Sequence, residues 1–221
     1  MSYNIAIDGP AGAGKSTISK AVAKRLGFVY IDTGAMYRSI GLAAVRHGID
    51  TTDAEGVESI LKDVEVSISH TEEGQQIFLN GENVSEEIRL PEISVAASNV
   101  AVIPAVRLKL VELQRSLAAK TDVIMDGRDI GTYVLPDAEI KIFLTASVDE
   151  RAKRRLLELE EKGVATTFEE VKADMEYRDK NDSSRAFAPL KAAEDSIPFD
   201  NTAITLDEAI DKICEIVRGK Q

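Results

Sequence analysis

A chain of 221 residues with 27 basic and 38 acidic side chains, a formal net charge of −11, is poorly suited to general binding of nucleic acid or of an anionic membrane surface. Its 44% hydrophobic and 29% charged content is ordinary for a globular protein and leaves room for one α/β domain with a small insertion. Cys214 is the only cysteine, which excludes an intramolecular disulfide, and with His47 and His70 the only histidines there is no Cys/His cluster for zinc.

Met1-Ser2-Tyr3-Asn4 passes directly into the apolar run Ile5 to Asp8, with no basic leader, and no run approaches a membrane span. A cytoplasmic monomer with no membrane or nucleic-acid partner is expected. Ile5 to Asp8 is a candidate buried strand. After it, Gly9, Pro10, Ala11, Gly12, Ala13, Gly14, Lys15 and Ser16 fit G-x-x-x-x-G-K-[ST] at every fixed position, with Thr17 next. Such a loop gathers several backbone N–H groups on one spot at the positive end of a helix, so polyphosphate is its natural ligand. Lys15 would reach the β- and γ-phosphates of a nucleotide, and the Ser16 hydroxyl would sit on a bridging Mg²⁺. The rival reading, a dinucleotide fingerprint through Gly12 and Gly14 to Asp32, fails because Thr17 occupies the third glycine position and Lys15-Ser16 is left without a task.

The helix continues through Leu26, and Gly27 suits its left-handed end. Phe28 to Asp32 is a second strand, Asp32-Thr33-Gly34 a turn at the ligand edge of the sheet, and a helix follows from about Met36 to Gly48. Arg38, near the start of that helix, is either a solvated arginine or part of a site. Asp53 to Leu61 is helical in pattern. From Val64 the period changes to alternation through Val66, Ile68, Ile77, Leu79 and Val84, with Asn80-Gly81 a type I′ hairpin signal. An antiparallel piece over roughly Val64 to Ser98 therefore interrupts the α/β rhythm.

Pro104 suits a first helical position, and Val106, Leu110, Leu113 and Leu117 keep one apolar stripe through Ala118, with Arg107 beside it. Val123 to Asp126 is a strand tipped by an acid, followed by Gly127-Arg128-Asp129. Asp126 is thus either a second metal-site oxygen or an ordinary turn aspartate. Ile140 to Leu144 is another strand. Ser147 to Glu150 opens a helix through about Glu161 that carries Arg151, Lys153, Arg154 and Arg155, either a solvated basic face or a lid that closes on phosphate. Thr167 to Glu170 caps a helix through about Ser183, and its continuation would align Arg178, Asp182 and Arg185 on one face. Ile197 to Asp200 is the last strand and Thr205 to Val217 the closing helix, with Cys214 packed inside.

Short apolar strands alternating with helices predict an α/β fold, a five-stranded parallel sheet wrapped on both faces, carrying the phosphate loop at its strand ends. Arg38, Arg128, Arg178 and Arg185 bring more positive charge to that edge than one nucleoside triphosphate requires, so a second anion is expected.

The segments GPAGAGKST, DTGAMYR at Asp32 to Arg38, DGRDIGT at Asp126 to Thr132 and RDKNDSSRAFAPL at Arg178 to Leu190 resemble the signature segments of bacterial cytidylate kinases, within the nucleoside monophosphate kinases of the P-loop class. The similarity runs in order along essentially the whole chain. It implies a P-loop kinase core at 1–62 and 102–221, a CMP-binding insertion at 63–101 with antiparallel β structure, and a short lid at 148–166. It further implies transfer of a phosphoryl group from ATP, with Mg²⁺, to CMP or dCMP, with Lys15, Arg128 and Arg185 in the catalytic machinery. Carried over position by position, Arg38, Arg128 and Arg185 would clamp the acceptor phosphate and Ser98, Arg107 and Asp129 would read the cytosine edge. Arg178 and Asp182 would hold the ribose, Thr33 would lie beside the acceptor, and Arg154 would be a lid residue on the ATP side. A kinase for a small alcohol or sugar leaves these arginines unused, and a guanine-nucleotide switch lacks its Asn-Lys-x-Asp tetrapeptide here.

Overall fold

The computed structural model describes residues 2–71, 74–161 and 163–220. They form a five-stranded parallel sheet flanked by helices and a separate three-stranded antiparallel sheet. The chain divides into two compact units, Met1–Val29 with Thr121–Gln221, and Tyr30–Lys120.

In the first unit the chain runs β1 (Asn4–Asp8), α1 (Lys15–Leu26) and the start of β2 (Val29–Asp32). It returns as β6 (Val123–Gly127), β7 (Ile140–Thr145), α6 (Val148–Glu161), α7 (Phe168–Ser183), β8 (Ile197–Asp200) and α8 (Leu206–Arg218). The parallel order is β2-β6-β1-β7-β8. β1 is central, with Ile5 opposite Ile124 on one side and Ile140 on the other. Strands covered on both faces cannot alternate polar and apolar residues, which is why β1 and β6 are nearly uniform apolar runs, buried from Ile5 to Asp8 and from Val123 to Gly127. Because the strands are parallel and in register, Asp8 stands beside Gly127 and Phe143, and Thr145 beside Asp200. The segments leaving these strands therefore emerge on one edge, where open α/β sheets bind ligands.

α6 and α7 pack through Ala152, Leu159, Val171 and Met175, with Val148, Leu156, Val164 and Phe168 around them. α7 and α8 each open with a complete capping box, Thr167 with Glu170 and Thr205 with Glu208. α8 buries Ala209, Ile210, Ile213, Cys214 and Val217. Cys214 is thus a packing residue, and burial raises its thiol pKa.

In the second unit are α2 (Thr33–Arg46), α3 (Ala54–Ile60), β3 (Val66–Thr71), β4 (Gly74–Leu79), β5 (Glu82–Asn83), α4 (Pro91–Val100) and α5 (Pro104–Ala118). The antiparallel order is β3-β4-β5, and Asn80 and Gly81 turn β4 into β5 with φ of 49° and 82°, the pair of positive angles a type I′ turn needs. α2 and α4 approach so closely that a Cβ at Gly41 would lie 3.0 Å from that of Ala96.

Three local expectations are corrected. α2 begins at Thr33, not at about Met36, because the Asp32 carboxylate accepts the Ala35 N–H at 2.9 Å and caps the helix directly off the strand. The antiparallel strands end at Asn83, and Pro91 to Val100 is helical: Pro91 supplies the preset first turn, and Ile93, Ala96, Ala97 and Val100 are the buried face at helical spacing. α7 stops at Ser183, so Arg185 lies beyond the helix instead of on its continued face.

The Asp8 carboxylate accepts the N–H groups of Ile130 and Gly131, each at 2.8 Å, and so ties the end of β1 to the turn after Asp129. Burial raises its pKa to about 6 against the pull of these two hydrogen bonds, with the Asp129 charge adding to the rise and Lys15 opposing it. A carboxyl raised on folding stabilises the native state at pH below its unfolded value, a contribution lost as pH rises through about 6. Between about pH 7.5 and about pH 5 the wild type should therefore gain about 1–3 kcal/mol relative to Asp8→Asn. Calorimetry of both proteins at the two pH values checks this, and parallel Tm profiles would assign the titration elsewhere.

Candidate active site

The loop after β1 winds from Gly9, at φ +154°, where a Cβ would fall 1.9 Å from the Leu144 carbonyl oxygen. Main chain passes main chain there, and no side chain fits. Lys15 opens α1 and is buried, its Nζ donating to the carbonyls of Gly9 and Pro10 at 2.7 Å each. Its pKa is lowered to about 7, by burial first and by the Arg128 charge second, with Asp126, Asp182 and Asp8 pulling it back up. Ser16 Oγ donates to Asp126 Oδ2 at 2.8 Å. A hydroxyl and a carboxylate side by side are the hard oxygen donors Mg²⁺ accepts, and two such ligands suit an ion that keeps waters and shares phosphate oxygens. Among the described residues no group of three or more His, Cys, Asp and Glu is placed to hold a metal by itself.

Beyond β6, Arg128 turns its Nε to Asp182 Oδ2 at 2.6 Å, and Arg185 donates Nη2 to the other oxygen of the same carboxylate. Asp182 follows Val171 and Met175 on the buried face of α7, which explains why a carboxylate this deep is held between two guanidinium groups. Burial works to raise its pKa, but Arg128 and Arg185, with Arg178 behind them, hold it below the ordinary carboxylate value. The same pairing acts on Arg128: burial disfavours its charge, while Asp182, Asp126 and Asp179 outweigh that and raise its pKa. Arg178 reaches Asp174 at 3.7 Å, and burial, then repulsion from Arg128, lowers its pKa. Arg128 and Arg185 thus share one central carboxylate, and Arg178, paired with Asp174, lies within its field. Asp129 is buried at the head of the turn tied to Asp8, its main-chain carbonyl accepting from Tyr133 and Val134.

In the second unit, Thr33 is buried in the first turn of α2 and Arg38 pairs with Asp32 at 2.8 Å. Ser98 is buried on α4. Arg107 is fully buried on α5, its guanidinium 5.7 Å from the Tyr37 ring centre and Nη1 donating to the Ala101 carbonyl at 3.2 Å. Neither Arg38 nor Arg107 is a solvated surface arginine.

Two residues of the phosphate loop's surroundings were not singled out from the sequence, where Arg151 figured only among the basic residues of its helix and Asn201 not at all. Arg151 is buried and donates Nη1 to the Ala11 carbonyl at 2.8 Å and Nε to that of Ala146 at 3.0 Å, with Nη2 2.7 Å from Asp179. Asn201 donates Nδ2 to the Ala13 carbonyl at 2.9 Å. Its own Oδ1 and main-chain carbonyl accept from Arg154 at 3.2 and 3.0 Å, which is where Arg154 is held. The available signals were positional: Arg151 stands three residues after Val148, on the packed side of α6, and Asn201 directly follows β8 at the ligand edge.

The family model for cytidylate kinase matches residues 5–219. A cytidylate kinase of Caldicellulosiruptor saccharolyticus is 52% identical over 213 residues, 96% of this chain and 94% of that one. Those of Lactobacillus johnsonii and Bacillus cereus are 49% and 50% identical, each over 98% of this chain and over 94% and 96% of their own. Among solved structures, an uncharacterized protein from Eubacterium ventriosum superposes with TM-score 0.55 at 16% identity, covering 99% of both chains. Shikimate kinase from Bacteroides thetaiotaomicron does so with TM-score 0.50 at 12% identity over 98% of each, so the shared fold is that of a P-loop kinase. The chain belongs to the cytidylate kinase family.

Proposed function

We propose that this chain transfers the γ-phosphoryl group of MgATP to CMP or dCMP, giving ADP and CDP or dCDP, by direct in-line attack without a covalent enzyme intermediate. One observation carries the reading furthest: within a single compact unit Ser16, next to Lys15 in the phosphate loop, donates to Asp126, and Arg128, two residues on, shares the Asp182 carboxylate with Arg185. Cationic groups suited to two different polyanions are neighbours.

The chemistry needs little else. The acceptor phosphate has a second pKa of about 6, so at neutral pH its attacking oxygen is already anionic and no general base is required. The barrier is the approach of two anions in line, which positioned positive charge lowers. On this proposal Gly9 to Thr17 cradle the donor phosphates, Lys15 neutralises the β- and γ-oxygens, and Ser16 and Asp126 hold Mg²⁺. When bound, that ion supplies charge neutralisation on the donor. Arg38, Arg128 and Arg185 clamp the acceptor phosphate. Arg178 and Asp182 hold the ribose; an ionised carboxylate has lone pairs to spare beyond the two arginines it already serves. Ser98, Arg107 and Asp129 read the cytosine edge, where the acceptor-only Asp129 suits an exocyclic amino group, and Thr33 lies beside the acceptor. Residues 148–166, with Arg154, act as a lid that excludes water, a competing phosphoryl acceptor. The insertion, 63–101, moves with substrate binding. A cytoplasmic monomer remains part of the proposal, supported by the net charge of −11 and the lone, packed Cys214.

ATP consumption measured with each nucleoside monophosphate in turn should depend on CMP or dCMP; stimulation by a sugar, or binding of GTP alone, would overturn the reading. Lys15→Ala should lower kcat by about 10²–10³-fold and leave CMP affinity nearly unchanged. Arg185→Ala should raise the KM for CMP by about 10–100-fold with ATP binding intact, since a charge-assisted contact is lost. Asp182→Ala should cost more than Arg185→Ala, because it also leaves Arg128 and Arg185 without their shared counter-charge, and the double variant should be far from additive. Steady-state kinetics on the three variants measures this, and additive losses would remove Asp182 from its organising role.

A further inference from the structure

The phosphate loop carries two carbonyls that are held from outside, that of Ala11 by Arg151 and that of Ala13 by Asn201. All peptide bonds described are trans, and in a trans peptide the C=O and the following N–H point in opposite directions. Fixing the Ala11 and Ala13 oxygens against α6 and the end of β8 therefore turns the Gly12 and Gly14 N–H groups the other way. Gly12 and Gly14 stand at φ of +70° and +85°, and glycine accepts several orientations of the flanking peptide planes at little cost. The sequence of the loop does not by itself select the orientation that faces an anion.

The two side chains are well placed to select it. Arg151 is buried and immobilised by three partners, the carbonyls of Ala146 and Ala11 and the Asp179 carboxylate. Asn201 is buried, donates its main-chain N–H to the Thr145 carbonyl at 2.9 Å, and has its amide oxygen occupied by Arg154. With Oδ1 accepting from a guanidinium, the amide's orientation is set and Nδ2 is the atom left for the loop. A Cβ at Gly14 would approach Asn201 Nδ2 to 3.5 Å, so the amide also packs against the loop.

We infer that Arg151 and Asn201 are positioning residues of the donor site, which aim the Gly12 and Gly14 amides at the donor's phosphates by drawing the Ala11 and Ala13 carbonyls outward. This role rests on reading Gly9 to Thr17 as the phosphate cradle. Neither residue needs to touch the nucleotide to perform it. Their loss is accordingly felt by the phosphates and not by the nucleoside or by CMP.

Asn201→Asp tests the role with almost no change of shape: it keeps an acceptor for Arg154 and replaces the donor facing the Ala13 carbonyl with a carboxylate oxygen. Binding of inorganic tripolyphosphate, of adenosine and of CMP is measured by calorimetry, with Tm and the KM for ATP alongside. Tripolyphosphate affinity and the KM for ATP should each worsen about tenfold, equivalent to about 1.4 kcal/mol, while adenosine and CMP stay within about twofold. Arg151→Lys should retain more tripolyphosphate affinity than Arg151→Met, since a lysine keeps one donor for the Ala11 carbonyl. Wild-type tripolyphosphate binding in Asn201→Asp and Arg151→Met, or parallel loss of all three ligands, overturns the inference. Lys15→Met separates the two levels. If it binds tripolyphosphate like the wild type, the cradle reading itself fails. If it loses tripolyphosphate while Asn201→Asp does not, only the positioning role fails.

Discussion

The constraint that governs this molecule is electrostatic: a net-negative chain has to gather positive charge where two phosphates meet, and hold it there before they arrive. Guanidinium groups brought together repel, and burial raises the cost of each. Asp182 resolves the conflict. A single carboxylate between Arg128 and Arg185, felt also by Arg178, lowers the repulsion between the guanidinium groups and keeps them assembled. Lys15 shows the other side of the same problem, since its ammonium is buried beside Arg128 and is correspondingly easier to deprotonate than an exposed lysine. A polyphosphate brings further negative charge to the buried Lys15 and the arginines, so binding energy and charge relief coincide in one event.

The fold serves this arrangement by delivering chain ends to one edge. Parallel register sets the end of β1 beside those of β6 and β7, and the following segments carry Lys15, Arg128 and the start of α6. Further ties run across that edge. Asp8 joins β1 to the turn behind Asp129, and Arg151 joins the phosphate loop to Asp179 on the helix that bears Arg178 and Asp182. The parts proposed for donor and acceptor in this unit are therefore cross-braced by side chains that need not touch either ligand.

Much of this was legible in the sequence, for identifiable reasons. Strands buried on both faces are continuous apolar runs, so β1, β6 and β7 stood out, and α5 was bounded by Pro104 and its stripe. The residues of the four signature segments were legible because their chemistry is local and their spacing fixed. What could not be read was chemistry that depends on a distant partner. Arg151 has the same neighbours in sequence as Arg154 and Arg155, yet it alone turns to the Ala11 carbonyl, and Asn201 has nothing around it that announces a donor. α4 was hidden by its context, since an alternating stretch ended only a few residues before Pro91. The end of α7 at Ser183 was likewise invisible, because the run to Arg185 keeps helical spacing although the helix does not.

Gly9 has a standing separate from the rest of its loop. Its lack of a side chain answers to the Leu144 main chain pressing against it, whatever the loop binds. A lineage descended from this protein that abandoned phosphoryl transfer would be free to discard Lys15, whose buried charge burdens the empty fold, but would go on inheriting Gly9 for as long as β1 and β7 stayed paired. The motif would then decay unevenly, its first letter outliving the chemistry that the whole word once spelled.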